Sequence, residues 1–222
     1  MTELLPCVEM GAEGEARGAV IWLHGLGASG HDFEDVVPLL QRPDVRFVFP
    51  HAPPKPVTVN AGMIMPAWYD IFSLEGPRLE EDERGIRSSA ALVRALVERE
   101  RERGLGAAQI VLAGFSQGGA MALFVADRYE ETLAGLMVLS GYELLADTRE
   151  AEQRQANART PLLLCHGLND PMVPISRGRE AFESHAVNGR PATKHEFPMA
   201  HQMCMEEIEV IREWLAERVA AD

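Results

Sequence analysis

Gly114-Phe115-Ser116-Gln117-Gly118 fits the pattern G-x-S-x-G, and its setting gives the pattern meaning. A strand-length apolar run, Gln109 to Gly114, leads into it, and a helical stretch, Gly119 to Tyr129, leads out. On a sharp strand-to-helix turn a serine hydroxyl is lifted above the sheet edge. The flanking glycines leave room for the strained backbone and for close approach of strand and helix. The turn also brings the Gln117 backbone N–H and the helix N-terminus beside Ser116, where an oxyanion would form during attack on a carbonyl. The chemistry implied is nucleophilic acyl transfer.

A serine hydroxyl is a poor nucleophile until a base takes its proton, and that base must be held by an acid. When the serine stands on such a turn, the chain order is serine, acid, histidine, which leaves His166, His185, His195 and His201. His166 falls at a strand end, His185 inside a helical stretch and His195 within an alternating strand, so each reads as structural. His201 follows the strand ending at Phe197 and precedes the last helix, where a loop at the carboxyl edge of the sheet can carry an imidazole over the serine. Asp170 occupies the corresponding loop after the strand Pro161 to Cys165. Asp127 and Asp147 fall in the helix after the serine and in an irregular stretch, and both read as solvated carboxylates.

The loop Leu23-His24-Gly25-Leu26-Gly27 follows another strong strand and can present backbone N–H groups to the same edge. Its extension, Gly25 to Gly30, also matches the dinucleotide pattern G-x-G-x-x-G. However, the end of the next strand, Phe49-Pro50-His51-Ala52, lacks the carboxylate that would hold a ribose.

The elements needed to position these residues are present. Apolar runs at Ala19 to His24, Val45 to Phe49, Gln109 to Gly114, Gly135 to Ser140 and Pro161 to His166, with a weaker alternating one at Thr193 to Phe197, read as buried parallel strands. Stripes at Ile86, Ala90, Val93 and Val97, and at Ile208, Ile211, Leu215 and Val219, read as helices. The alternation predicts an α/β sheet covered on both faces, in a single domain spanning 1–222. The proline-rich, aromatic stretch 53–79 breaks the rhythm, and reads either as a flap over a pocket or as a packed connection. Glu80 to Glu83 reads as a solvated helix start.

A net charge of -13 argues against nucleic acid as a partner. No apolar run approaches bilayer-spanning length and Met1 to Met10 has no signal-peptide pattern, so integral membrane association is not expected and the cytoplasm is the expected location. Cys7, Cys165 and Cys204 are too few and too scattered for a disulfide framework or a zinc site, and no metal is expected.

Together, Leu23 to Gly27, Met65-Pro66-Ala67-Trp68-Tyr69-Asp70, Gly114 to Gly119, His166-Gly167 with Asp170 and Val173-Pro174, and His201 resemble the phospholipase/carboxylesterase family of small carboxylesterases and acyl-protein thioesterases. The resemblance implies an α/β-hydrolase fold with a mostly parallel sheet, helices on both faces and little or no cap domain. It implies Ser116, Asp170 and His201 as triad, the N–H groups of Leu26 and Gln117 as oxyanion hole, no cofactor, and a homodimer as one possible assembly. The chain departs from the family at Ala200, where glycine often precedes the histidine. Asp70 is expected to be structural.

The expected activity is that of a serine carboxylesterase acting on short to medium acyl chains through an acyl-enzyme. Cleavage of acyl-protein thioesters or lysophospholipids by the same triad is the alternative, and a non-catalytic binding protein on the same scaffold is a further rival. Leu26, Met63, Ile64, Met65, Trp68, Met172 and Val173 are the expected acyl-pocket residues.

Overall fold

The computed structural model describes residues 4–12, 14–73, 80–187 and 189–219. The strands are β1 (Cys7–Gly11), β2 (Gly18–Leu23), β3 (Val45–Pro50), β4 (Pro54–Val57), β5 (Met63–Pro66), β6 (Ile110–Phe115), β7 (Gly135–Leu139), β8 (Leu162–Gly167) and β9 (Ala192–Phe197). The helices are α1 (Val37–Leu40), α2 (Glu83–Glu102), α3 (Gln117–Arg128), α4 (Ala146–Glu152), α5 (Ile175–His185) and α6 (Met205–Arg218).

Seven strands form one sheet in the order β1-β3-β2-β6-β7-β8-β9, parallel throughout except for β1, which runs antiparallel to β3. The central strands are continuous apolar runs because both of their faces are covered. Along β2, Ala19, Ile21 and Leu23 point into a core shared with α2 and α3, while Val20 and Trp22 point into a second core shared with α1 and α6. Helix α2 starts where the Asp82 carboxylate accepts the Gly85 N–H at 2.9 Å. Its stripe Ile86, Ala90, Val93 and Val97 is buried as expected, each larger side chain contributing about 1.5–3 kcal/mol.

Two features were not visible in the sequence. Strand β1 adds the antiparallel edge, and β4 and β5 pair as a separate two-stranded ribbon inside the stretch read as either flap or connection. Of that stretch, residues 74–79 lie outside the described residues. The acidic helix start is also more structured than expected, since Glu81 is half-buried and accepts the Leu145 N–H at 3.0 Å. No helix among the described residues is long and apolar enough to cross a membrane.

The order of strands fixes where a site can form. From β2 the chain moves outward to β3, and later resumes on the other side of β2 at β6. The carboxyl ends of β2 and β6 therefore carry loops that diverge, with Leu23 and Gly114 side by side in the register. That divergence opens a crevice at the sheet edge.

Candidate active site

Ser116 stands between β6 and α3 with φ 55° and ψ -121°, a conformation that costs about 1–3 kcal/mol in a non-glycine residue. The turn is held by the Ser116 N–H donating to the Leu139 carbonyl at 2.8 Å and by the Ser116 carbonyl accepting the Ala120 N–H at 3.0 Å. The glycines are required by contact. A Cβ at Gly114 would lie 2.2 Å from the Gly118 carbonyl carbon, and one at Gly118 would lie 2.2 Å from the Leu23 carbonyl oxygen.

His201 and Asp170 meet above this turn. The His201 Nδ1 lies 2.6 Å from Asp170 Oδ2, which places the proton on Nδ1 and leaves Nε2 as the basic nitrogen. Asp170 Oδ1 accepts the N–H groups of Met172 and Val173 at 2.9 and 2.8 Å. Burial raises the Asp170 pKa, but the bonds from His201, Val173 and Met172 outweigh it and hold the carboxyl below its ordinary range. The ring of His201 packs 4.8 Å from that of Phe115, the residue before the serine.

The other histidines lie in structural positions. His166 is buried and donates from Nε2 to the Val173 carbonyl at 2.9 Å. His185 is buried at the end of α5, bonded to Asp127 at 2.8 Å. The expectation that Asp127 is solvated is corrected: its side chain is only 2% exposed. The reason is that every residue of α3 is buried, so no face of that helix meets water. Asp147 is exposed in the first turn of α4. Asp70 accepts the N–H and hydroxyl of Thr58 at 2.7 and 2.6 Å.

The loop after β2 closes the crevice from the other side. A Cβ at Gly25 would lie 3.4 Å from the Ser116 Cβ, and the Ala28 N–H donates to the Gly25 carbonyl at 3.3 Å across a turn in which Gly27 has φ 72°. Beyond it, Gly30–Phe33 is a single tight turn capped by Ser29, which offers no long helix to receive a pyrophosphate. The N–H groups of Leu26 and Gln117 have no acceptor among the described residues.

A cavity of about 660 Å³ lies between these loops, and Ser116, His201, Leu26 and Gln117 all line it. Of the expected acyl-pocket residues, Met65, Met172 and Val173 also line it. Three do not. Met63 and Ile64 are 64% and 71% exposed: alternation along β5 turns Ile64 to the opposite face from Met65, and Met63, on the same face as Met65, lies beyond the cavity at the turn end of the β4–β5 ribbon. Trp68 is fully buried, drawn below the cavity by polar bonds of its own. Phe33, Val36, Val59, Ile71, Phe115 and Met203 also line it and were missed. Phe115 and Met203 had a signal in their positions, one residue before the serine and two after the histidine. Among the described residues no group of three or more metal-ligating side chains is gathered.

A family model described as Phospholipase/Carboxylesterase matches residues 7–219. The chain is 40% identical to acyl-protein thioesterase 1 of Neurospora crassa over 215 residues, covering 90% of this chain and 86% of that protein. It superposes on the crystal structure of Arabidopsis thaliana SOBER1 with a TM-score of 0.86 at 29% identity, covering 92% and 100% of the two chains. Zea mays acyl-protein thioesterase 2 gives a TM-score of 0.85 at 26% identity, covering 97% and 99%.

Proposed function

The chain belongs to the phospholipase/carboxylesterase family, and from that premise we propose that it is a serine thioesterase releasing acyl groups from acylated proteins, with Ser116, His201 and Asp170 as its triad. Its fold is that of the α/β-hydrolases, and the family and its relatives mark it as a carboxylic ester hydrolase. The mechanism rests on one observation above the others: an Asp170-bound imidazole lines the same cavity as a serine on a strained elbow. The thioester preference, which reverses the order expected from sequence, is supported by relatives at 33–40% identity that bear the name acyl-protein thioesterase.

Ser116 Oγ attacks the acyl carbonyl as its proton passes to His201 Nε2, and the developing oxyanion meets the Leu26 and Gln117 N–H groups. The carbon–sulfur bond then breaks, and the departing thiolate takes the proton from His201. Water repeats the sequence on the acyl-serine, releasing a carboxylic acid and restoring Ser116. Asp170 keeps the imidazole in its working tautomer throughout. The apolar walls from Met65, Met172, Val173 and Phe33 would hold the acyl chain.

Hydrolysis of an S-palmitoylated peptide, beside p-nitrophenyl esters from acetate to palmitate, tests this reading with Ser116→Ala as control. Turnover of the peptide thioester should exceed that of the oxygen esters, and Ser116→Ala should lower all of it by about four to six orders of magnitude. Near wild-type turnover in the variant would remove Ser116 from the mechanism. A clear preference for short oxygen esters would return the chain to the carboxylesterase reading.

A further inference from the structure

The two oxyanion N–H groups come from different strands, and neither loop alone fixes one relative to the other. Leu26 sits in a turn flanked by Gly25 and Gly27, the kind of backbone that moves easily. Gln117 opens α3 on the far side of the serine. Stabilising an oxyanion requires donors already in place before charge develops. Something must therefore hold these loops together.

The segment from Pro66 to Tyr69 does so. The Pro66 carbonyl accepts the Gly27 N–H at 2.8 Å, immediately after Leu26. The Trp68 indole N–H donates to the His24 carbonyl at 2.8 Å, two residues before Leu26. On the other side, the Gln117 side-chain amide grips the same segment at two points. Its Oε1 accepts the Trp68 N–H at 2.8 Å and its Nε2 donates to the Tyr69 carbonyl at 2.9 Å. The segment is itself anchored from below, since the Trp68 carbonyl accepts Lys55 Nζ at 2.7 Å and the Ser89 hydroxyl. His24 completes the frame. Its Nε2 accepts the Ala52 N–H at 3.0 Å, so its Nδ1–H donates to the Gly25 carbonyl at 2.7 Å. Trp68, Gln117 and His24 are all at most 1% exposed, so water does not compete for these bonds.

We infer that Trp68 and the side-chain amide of Gln117 are positioning residues, which tie the loop carrying the Leu26 N–H to the helix end carrying the Gln117 N–H and so set the span of the oxyanion hole. This rests on the serine-hydrolase reading given above. Gln117 then has two separate roles, its backbone N–H meeting the oxyanion and its side chain fixing the opposite donor. Trp68 touches no substrate; it acts through the His24 carbonyl and the Gln117 side chain.

Trp68→Phe keeps most of the ring and removes the indole N–H, and Gln117→Met keeps length and removes both amide bonds. For each, kcat and KM on p-nitrophenyl butyrate, inhibition by an alkyl trifluoromethyl ketone, and the melting temperature are measured. The ketone forms a tetrahedral adduct on Ser116 and so reports the oxyanion hole; a non-hydrolysed amide analogue of the substrate reports ground-state binding. Trp68→Phe should lower kcat about tenfold, with KM and amide binding within about twofold, and the ketone's inhibition constant should rise by the same factor as kcat falls. Gln117→Met should do more, about a hundredfold, and the double variant should lose less than the product of the two because both loosen one segment. Unchanged kcat and ketone affinity in Trp68→Phe, or parallel changes in amide and ketone binding, would overturn the inference. Absence of any Ser116-dependent hydrolysis in the unaltered chain would instead overturn the functional reading beneath it.

Discussion

Among the described residues, two imidazoles are hydrogen-bonded to a buried carboxylate, and of these two pairs the one made by His201 borders the cavity that holds Ser116. Asp170 and His201 meet at 2.6 Å, Asp127 and His185 at 2.8 Å. The second pair even has a serine beside it, with Ser184 Oγ 2.9 Å from His185 Nδ1. What separates them is the other ring nitrogen. His185 Nδ1 also lies 2.7 Å from the Ala181 carbonyl of its own helix, so both nitrogens are engaged and no lone pair reaches open space. Ser184 is likewise spent on Glu143 and Ala181, at 2.7 and 3.0 Å. In the first pair Nδ1 alone is engaged, and the ring borders the cavity that holds Ser116. An acid and an imidazole at hydrogen-bond distance make a base only where one nitrogen is left to work.

Replacing each acid by its amide tests that difference. Asp170→Asn preserves the two loop N–H bonds but presents an N–H to His201 Nδ1, which moves the imidazole proton to Nε2 and removes the base. Turnover should fall by about four orders of magnitude with little change in the urea midpoint. Retention of more than about a tenth of wild-type turnover would show that His201 needs no anion behind it.

Asp127→Asn should do the reverse. Burial raises the Asp127 pKa, but His185 and then Arg190 outweigh it and hold the carboxyl below its ordinary 3.8. Its contribution is therefore present above about pH 4 and lost in acid. The amide leaves the Arg190 guanidinium, whose side chain is 1% exposed, without its anion. Breaking such a pair costs about 3–5 kcal/mol, read as a lower urea midpoint, while kcat per folded molecule stays within about twofold. Loss of turnover at an unchanged midpoint would mean that the inner pair, not the outer one, serves the chemistry.

The sequence distinguished the two histidines through position alone, His185 inside a helical stretch and His201 in a loop at the sheet edge, since chain order left both. It missed the state of Asp127, although a signal was there: Ala120-Met121-Ala122-Leu123-Phe124-Val125-Ala126 is apolar on every side, and such a helix is enclosed. Five of the six parallel strands were readable because burial on both faces forces unbroken apolar runs, whereas β9, a partly exposed edge strand and not a buried one, showed only as an alternation. Strand β1, Cys-Val-Glu-Met-Gly, was not, since an edge strand covered on one side admits a charged residue. Prolines at 54, 56 and 66 hid the β4–β5 ribbon, where a two-stranded pairing leaves outward edges that need no N–H. Trp68 was misplaced for a different reason. An aromatic in a loop resembles a pocket wall by hydrophobicity, and only its indole N–H, which must find an acceptor when buried, points to a supporting role.

A third carboxyl sharpens the comparison by having no imidazole or cation paired with it among the described residues. Glu207, in the first turn of α6 after the His201 loop, is fully buried, and neither carboxyl oxygen has a hydrogen-bond partner among the described residues. Burial, opposed only weakly by the Cys204 backbone, pushes its pKa up to about 8. The sign is opposite to that of Asp127 and Asp170. The folded chain binds a proton more tightly than the unfolded chain, so stability is greatest below the ordinary value of 4.5 and declines as pH rises toward 8. Glu207→Gln cannot ionise, so its advantage over the unaltered chain should grow between pH 5 and 8 by on the order of a few kcal/mol and level off above. Comparing urea midpoints of the two proteins across that range isolates this group, because the depressed carboxyls are already ionised throughout. A difference independent of pH would mean that Glu207 is ionised in the fold and has found a partner, as Asp170 found His201.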